Sequence, residues 1–474
     1  MARRSIPPAP LRGIVSACGI DLDSSVVVSG VSDDSRTISA GDVFFCVRGA
    51  NFDGHDAALD ATSRGAVAVV VDHPLDLPAE VVQVVVPDVR EVIGTMASRA
   101  LGDPSSRLTM MGVTGTNGKT STVMFVGALL RALGHETLTI GTLTGTRTTP
   151  EAIDLQGQLA DAVSAGATHV VMEVSSHALA MGRVNGIVFD VAAFSNLSRD
   201  HLDLHGTMEE YFATKSELFV PSRARRSVVN VDDEWGRLLA SRTSVPVTSC
   251  SVSELGDVRV TASGVAYRWR GLDVSISAGG SFAVLNSFLA LEMVVSVGCA
   301  VDDVARAAVA IGPVEGRFQS VPTESDYTVI VDYAHTPDAL RALLHSVRVL
   351  TNGRVIVVFG CGGDRDRGKR AEMGAVVDEL ADVAFVTSDN PRSEDPESII
   401  SDVLDGMGHG TCAVSSVVDR ALAIESAVSG ARGADIVVIA GKGHEPYQEV
   451  AGEFLAFSDV EVARLAVTRR SGSR

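Results

Sequence analysis

Six consecutive residues, Gly115-Thr116-Asn117-Gly118-Lys119-Thr120, combine two glycines, a lysine and two hydroxyls. Between a strand and a helix, a loop of this composition has a specific use. Its backbone N–H groups and the helix N-terminus converge on phosphate oxygens. Lys119 then neutralises the outer phosphates, and Thr120, with Ser121 beside it, offers a hydroxyl to Mg²⁺. The usual spacing requires glycine at 113, where this chain has Val113, with glycines at 112 and 115 instead. The flanking sequence supplies the context the motif demands. Leu108–Thr114 reads as an apolar strand. Beyond the loop, Val126, Leu129, Leu130 and Leu133 share one helical face until Gly134 stops it. The chain is expected to bind a nucleoside triphosphate, ATP. The loop by itself leaves a kinase, a GTPase switch, a motor and a ligase open.

The elements that must position this chemistry fall into three regions, 1–100, 101–320 and 321–474. The first shows short strands and a helix–strand pair, Asp56–Arg64 then Ala66–Asp72, and closes on a Gly/Pro/Ser linker at 101–106. In the second, His169–Val174 is a further apolar strand with Glu173 near its end. Residues 223–280, rich in Val, Ser and Thr, read as extended structure. The third region alternates. Strand Thr328–Asp332 precedes a helix with Thr336 as N-cap and Pro337 at its first position. Strand Arg354–Phe359 precedes a helix starting near Lys369, Val383–Thr387 precedes one capped by Asp395, and Asp435–Ala440 runs into Gly441. Such alternation predicts a parallel, doubly wound sheet. The fold class is therefore α/β in three domains, with a central P-loop nucleotide-binding domain and a C-terminal Rossmann-like domain. Four strand ends of the third region carry polar motifs, where open parallel sheets bind ligands. The basic tail Arg469–Arg474 is expected to be disordered.

Composition narrows the partners. A formal net charge of −19 over 474 residues disfavours general nucleic-acid binding. The six cysteines contain no C-x-x-C pair, which argues against a zinc site or a disulfide framework. No run approaches the ~18 apolar residues of a membrane span, and Pro7, Pro8 and Pro10 stand where a signal peptide would need apolar residues. A cytoplasmic protein, and a monomer, is expected.

Further motifs narrow the reaction. Met172-Glu173-Val174-Ser175-Ser176-His177-Ala178-Leu179 is followed by Arg183-Val184, then by Asn196-Leu197-Ser198-Arg199-Asp200-His201-Leu202-Asp203-Leu204-His205-Gly206 and Lys215-Ser216-Glu217-Leu218-Phe219. Asp34-Ser35-Arg36 and Thr148-Thr149-Pro150 precede this run. Asp332-Tyr333-Ala334-His335-Thr336-Pro337, Gly360-Cys361-Gly362-Gly363-Asp364-Arg365-Asp366, Asp389-Asn390-Pro391-Arg392 and Gly441-Lys442-Gly443-His444-Glu445 follow it. This succession resembles the Mur ligase family, the ATP-dependent amide ligases of peptidoglycan precursor synthesis, over nearly the whole chain. Val113 itself fits the loop variant that family uses.

The resemblance implies a mechanism and a set of residues. A D-Glu carboxylate of UDP-MurNAc-L-Ala-D-Glu attacks the γ-phosphate of ATP, and an incoming amine displaces phosphate from the acyl phosphate. Within the family the similarity is greatest to members that add meso-diaminopimelate; L-lysine, another amino acid, or a catalytically weak nucleotide-binding relative are the alternatives. Thr120, Glu173, His201 and a carbamylated Lys215 are the implied Mg²⁺ ligands, while Asp200, Asp203 and His205 read as loop structure. Besides the loop residues Gly115–Ser121, ATP would be held by Asn286, Arg317, Asp332 and His335. Ser35, Arg36, Thr148, Thr149, Ser175 and Arg183 would hold the sugar-peptide. Arg392 would grip the second carboxylate of diaminopimelate with two parallel N–H···O bonds. Arg365, Asp389, Asn390, Pro391, Gly441 and Glu445 complete that pocket. The chain departs from the family pattern at Met181, Ala283 and Gln319. Ligands held by three domains must meet at one centre, so closure of the third domain is expected.

Overall fold

The computed structural model describes residues 3–49, 52–200, 202–408 and 410–472. They form two compact units. The first runs to Leu197 and adds His201–Cys250 and Leu289–Ala300; the second holds Ser198–Asp200, Ser251–Phe288 and the chain from Val301 onward.

The first unit contains two sheets. Strands β1 (Arg4–Pro10), β2 (Val27–Ser32), β3 (Asp42–Phe45), β4 (Ala66–Val71) and β5 (Val82–Val85) lie side by side in chain order. Only the β1–β2 pair is antiparallel; the others are parallel. The run Ala-Val-Ala-Val-Val-Val of β4 is almost wholly buried, as expected of a strand covered on both faces. Val28, Val43, Phe45 and Val70 pack with Ile93 and Ile153 in one core. Arg4 at the first strand pairs with Asp161 at 2.8 Å.

The second sheet comprises β6 (Thr109–Thr114), β7 (Thr137–Ile140), β8 (His169–Glu173), β9 (Val191–Phe194), β10 (Ser227–Asn230) and β11 (Val247–Cys250). Its order is β11-β10-β9-β6-β8-β7 and every pairing is parallel. After β6 the chain builds one side with β7 and β8, then crosses to β9 on the other. The carboxyl end of β6 is therefore a topological switch point, the place where such sheets bind ligands. The helix Lys119–Ala132 follows it and buries Val126, Leu129 and Leu130, with Leu133 half-buried at its end.

Residues 223–280 are not all extended. Glu234–Arg242 is a helix, capped by the Asp233 side chain, which accepts the Gly236 N–H. Trp235, Leu238 and Leu239 face the core, a helical spacing that the surrounding Val/Ser/Thr content masks.

The second unit opens with the antiparallel sheet β12 (Gly256–Val260), β13 (Val265–Trp269) and β14 (Leu272–Ile276). Its main sheet has β15 (Gln319–Val321), β16 (Thr328–Asp332), β17 (Val355–Phe359), β18 (Val383–Val386), β19 (Ala413–Ser416) and β20 (Ile436–Ala440), in the order β15-β16-β20-β17-β18-β19. All pairings but the β15 edge are parallel. Apolar clusters cover both faces, one around Leu343, Val357, Met373 and Val403, the other around Ile356, Ile424, Ile439 and Ala463. This is the expected doubly wound arrangement. Thr336 and Asp395 cap their helices as read, each with proline in the first turn. A hairpin, β21 (Tyr447–Val450) and β22 (Glu453–Ala456), follows the last strand of the sheet.

The tail departs from expectation. Asp459–Gly472 is one helix. Arg469 pairs with Glu425, and the Arg470 guanidinium lies 4.5 Å from the Tyr327 ring centre. Arg469 stays largely exposed beside its partner, Arg470 also donates to Val428 O and Ala431 O, and residues 473–474 lie outside the described residues.

Candidate active site

The nucleotide loop has the geometry its composition demands. Gly115 has φ 147°, and a Cβ there would lie 2.0 Å from Ser195 Oγ. Gly118, with φ 85°, is the N-cap of the following helix. A side chain has no room at Gly115 and would be strained at the left-handed Gly118, so glycine at both lets the backbone close tightly around an anion. Asn196 Oδ1 accepts the Asn117 N–H at 2.9 Å, and Asn196 O accepts that of Thr116 at 2.9 Å. Lys119 Nζ donates to Gly115 O and Thr116 O at 2.9 and 2.8 Å. The lysine thus lies folded across the loop.

Behind the loop lies a buried set of hard oxygens. Glu173, the last residue of β8, is 1% exposed. Thr120 Oγ1 donates to its Oε1 at 3.0 Å and Thr142 N–H at 2.8 Å. Among the described residues no Lys, Arg or His forms an ion pair with it. A buried carboxylate beside a hydroxyl, at the mouth of a phosphate loop, suits Mg²⁺, which takes one or two protein carboxylates together with phosphate oxygens. Lys215, on the helix Met208–Ser216, is 1% exposed. Its Nζ donates to Gly115 O at 2.9 Å and stands 4.6 Å from the Tyr211 ring centre. It is no solvated surface lysine, and it shares its carbonyl with Lys119. His201 lies outside the described residues. His205 is not simple loop structure: it ends the short helix Leu202–His205, buried, with Nε2 3.0 Å from Ser176 Oγ and its ring stacked on Tyr211.

The residues expected on the sugar-peptide divide in kind. Thr149, Ser175 and Arg183 converge. Thr149 Oγ1 donates to Glu173 O at 2.9 Å and accepts the Ser175 N–H at 3.1 Å, so its proton is committed inside the protein and a lone pair remains. Ser175 caps the helix Ser176–Ala180. Arg183 donates to Thr149 O at 3.2 Å and pairs with Glu151 at 2.7 Å, while its buried Nε has no partner. Thr148 Oγ1 lies 3.0 Å from Thr142 Oγ1. Ser35 starts the 3-10 turn after β2, and the adjacent Arg36 is exposed and paired with Asp34. A separate cluster, His55, Asp72 and His73, brings its polar atoms within 4.8 Å of one another. His55 already uses Nδ1 on Asp53 at 2.6 Å and Nε2 as acceptor for the Asp72 N–H at 3.2 Å, so this is a hydrogen-bonded corner.

The second unit holds the other residues expected on ATP. Asn286 is buried on the helix Ser281–Ser296. Asp332, at the end of β16, accepts the N–H groups of Phe318 at 2.7 Å and Ala334 at 2.8 Å. Desolvation pushes its carboxyl above the usual range, with Arg317 pulling the other way. Arg317 stacks 4.1 Å from the Tyr333 ring centre and keeps a buried Nε without a partner. His335 is exposed, with Nδ1 2.9 Å from Tyr333 O. Gln319 Oε1 accepts the Gly316 N–H at 2.8 Å. At this departure an amide oxygen performs an acceptor role that a carboxylate could also fill. Ala283 is buried, and Met181 ends a helix half-buried.

The motifs at the carboxyl ends of β17, β18 and β20 meet in one polar pocket. Arg392 has φ 52°, unusual for a residue with a side chain. The conformation is imposed from both sides: Arg392 N–H donates to Glu449 O at 3.0 Å, and Ala451 N–H to Arg392 O at 2.7 Å. Its Nε donates to Glu449 Oε2 at 3.1 Å and its Nη1 to Gly363 O at 2.7 Å. Asn390 Nδ2 donates to Glu445 Oε2 at 2.9 Å. Asp389 is buried, close enough to Gly441 that a Cβ there would lie 2.7 Å from its Oδ2. Pro391 lies between Asn390 and Arg392, with its carbonyl against Gly363. Arg365 is exposed. His444 is held neutral, its pKa lowered to about 4 by burial and then by Arg317.

Three residues of this pocket escaped the sequence reading. Lys442 is fully buried, and Glu449 and Tyr447 stand on the hairpin beside it. Only Lys442 left a signal: it sits in the motif Gly441–Glu445, two residues past the end of the apolar strand Ile436–Ala440, with no role assigned to it.

A phosphate loop at the switch point of one parallel sheet, and a cluster of charged and polar side chains at the strand ends of another, are the features of a nucleotide-using enzyme. The comparisons agree. Residues 27–101 match the Mur ligase family catalytic domain, 113–294 the Mur ligase middle domain, and 316–443 the Mur ligase glutamate ligase domain. The chain belongs to the Mur ligase family. It is 42% identical to the UDP-N-acetylmuramoyl-L-alanyl-D-glutamate--2,6-diaminopimelate ligase of Geobacillus kaustophilus, over 92% of this chain and 94% of that one. It is 41% identical to the protein of that name from Xanthomonas campestris pv. campestris, over 96% of each. A solved structure of a ligase of the same name matches with a TM-score of 0.70 and 31% identity, covering 97% of this chain and 99% of that one. The ligase MurF of Thermotoga maritima, in complex with ADP, shares the fold at 18% identity and a TM-score of 0.65.

Proposed function

We propose that this protein is the ATP-dependent ligase that joins meso-diaminopimelate to the D-Glu carboxylate of UDP-MurNAc-L-Ala-D-Glu, in the synthesis of peptidoglycan precursors. The observation that carries the amino-acid assignment is Arg392. Its guanidinium is locked by Glu449 and the Gly363 carbonyl, and the Nη2 edge stays available to a carboxylate. Diaminopimelate differs from lysine by that carboxylate. A site built to pair a half-buried guanidinium disfavours the analogue that leaves it unpaired.

The reaction runs in two steps. A carboxylate oxygen of the D-Glu side chain attacks the γ-phosphorus of ATP, the bond to the bridging oxygen breaks, and ADP leaves. The diaminopimelate amine then attacks the acyl carbon, phosphate departs with the C–O bond, and the amine loses its proton. The loop N–H groups from Gly115 to Thr120 hold the phosphates. Lys119 leaves the loop carbonyls for the outer phosphates, and Arg317 adds positive charge at the transferred group. Thr120, Glu173, His201 and a carbamylated Lys215 would hold Mg²⁺, which would supply charge neutralisation for the phosphates. Asn286, Asp332 and His335 serve the nucleotide; Ser35, Thr148, Thr149, Ser175 and Arg183 serve the sugar-peptide. Glu445 and Asp389 face ammonium groups, with Arg365, Asn390, Pro391 and Gly441 shaping the pocket.

Domains at 1–100, 101–320 and 321–474 belong to the same reading, which the three family matches support. No helix among the described residues is long and apolar enough to cross a membrane. The same reading takes the reaction to be cytoplasmic and the protein to act as a monomer.

The test is phosphate release by purified protein given ATP, UDP-MurNAc-L-Ala-D-Glu and one amino acid at a time. Release with meso-diaminopimelate alone is expected. Equal release with L-lysine would overturn the amino-acid assignment, and none with any amino acid would overturn the activity.

A further inference from the structure

Lys442 has no exposed surface. An ammonium in such a place must be paired, and its partners are two residues assigned to the substrate. Nζ donates to Asn390 Oδ1 at 2.9 Å and to Glu445 Oε2 at 3.0 Å. It stands 5.7 Å from the Tyr447 ring centre.

An ammonium only donates, so it decides which way the Asn390 amide turns. Oδ1 must face Lys442, and there it also accepts the Glu449 N–H at 3.0 Å. The amide NH₂ is left facing Glu445 Oε2, at 2.9 Å. The flipped amide would set its NH₂ against both an ammonium and an N–H. Glu445 Oε2 is thereby used twice, and Oε1 remains for an incoming ammonium. The same amide oxygen pins the backbone of Glu449, whose carboxylate holds Arg392 Nε at 3.1 Å. A chain of contacts therefore runs from Lys442 through Asn390 and Glu449 to Arg392. It ties the ammonium end of the pocket to the carboxylate end.

We propose that Lys442 and Glu449 are positioning residues of this pocket: together they fix Asn390, Glu445 and Arg392 in the one arrangement that accepts an amino acid carrying both an ammonium and a distal carboxylate. The proposal rests on the reading of the pocket as the diaminopimelate site. A relay of this kind acts on the amino acid and leaves the nucleotide loop alone.

The experiment compares wild type, Lys442→Met and Glu449→Leu by steady-state kinetics, with thermal unfolding as the control for folding. In each folded variant the KM for meso-diaminopimelate is expected to rise about tenfold or more, the loss of one charge-assisted contact. The KM for ATP should stay within about twofold of wild type, the loop being intact, and the preference for meso-diaminopimelate over L-lysine should fall. Glu449 is partly exposed, so its variant decides the matter if Lys442→Met does not fold. A folded variant with wild-type KM and wild-type preference overturns the proposal. Wild-type protein that does not use meso-diaminopimelate overturns the reading beneath it instead.

Discussion

Among the described residues two lysines are buried, one in each unit, and they differ in what surrounds them. Lys442 closes on a carboxylate and an amide oxygen, so its charge is balanced within the fold. Lys215 lies against the carbonyl of Gly115, in the phosphate loop, and the face of Tyr211. Equal burial therefore does not mean equal chemistry. The first lysine is an architectural cation that orders its neighbours. The second reaches into the loop that handles phosphate, where converting it to a carbamate would exchange a cation for an anion beside the metal. Lysine serves both ends because it is a compact charge on a flexible stem.

The sharpest way to break this comparison is Lys215→Ala. If Lys215 acts on the phosphoryl-transfer centre, kcat falls roughly 100-fold or more, and added CO₂ does not restore it. A variant of near-normal kcat would make Lys215 architectural too. A smaller effect is expected at the other end of the Lys442 relay. Arg392→Lys keeps the charge but loses the planar fork. The KM for meso-diaminopimelate should rise about 10- to 100-fold, with the KM for ATP little changed. Equal losses for both substrates would show that the two regions are not separable.

The smallest effect is a pH slope. His444 is neutral in the folded protein, with its pKa lowered to about 4 from 6.5. Between those values the unfolded chain binds the proton that the folded chain refuses, so stability rises with pH across the window and is lost as pH falls through it. His444→Gln should flatten the fall in melting temperature between pH 6.5 and 4.5. An unchanged slope would mean that His444 titrates normally.

Much of this was legible in the chain. Gly115 to Thr120, the apolar strand before them and the amphipathic helix after them are local, and they formed as read. So did the caps at Thr336 and Asp395, because a side-chain acceptor and the proline behind it act within one turn. What was missed depended on partners distant in sequence. The helix Glu234–Arg242 hid in a stretch of β-forming composition. The basic tail read as disordered because nothing nearby could hold it, yet Glu425 and Tyr327, over 40 residues upstream, do.

The sequence by itself determined the phosphate loop, the alternation that builds a doubly wound sheet, and the residue types gathered at the strand ends. These follow from periodicity and from the few side chains that suit an anion, a cation or a tight turn. Only the tertiary structure decided which atoms of those side chains remain free. Asn390 and Glu445 lie 55 residues apart, and no local rule tells that Lys442 takes the amide oxygen of the first and one carboxylate oxygen of the second, leaving Glu445 Oε1 for a ligand. Hydrogen-bond valence is limited and is spent among neighbours in space, so it can be counted only once the chain has folded.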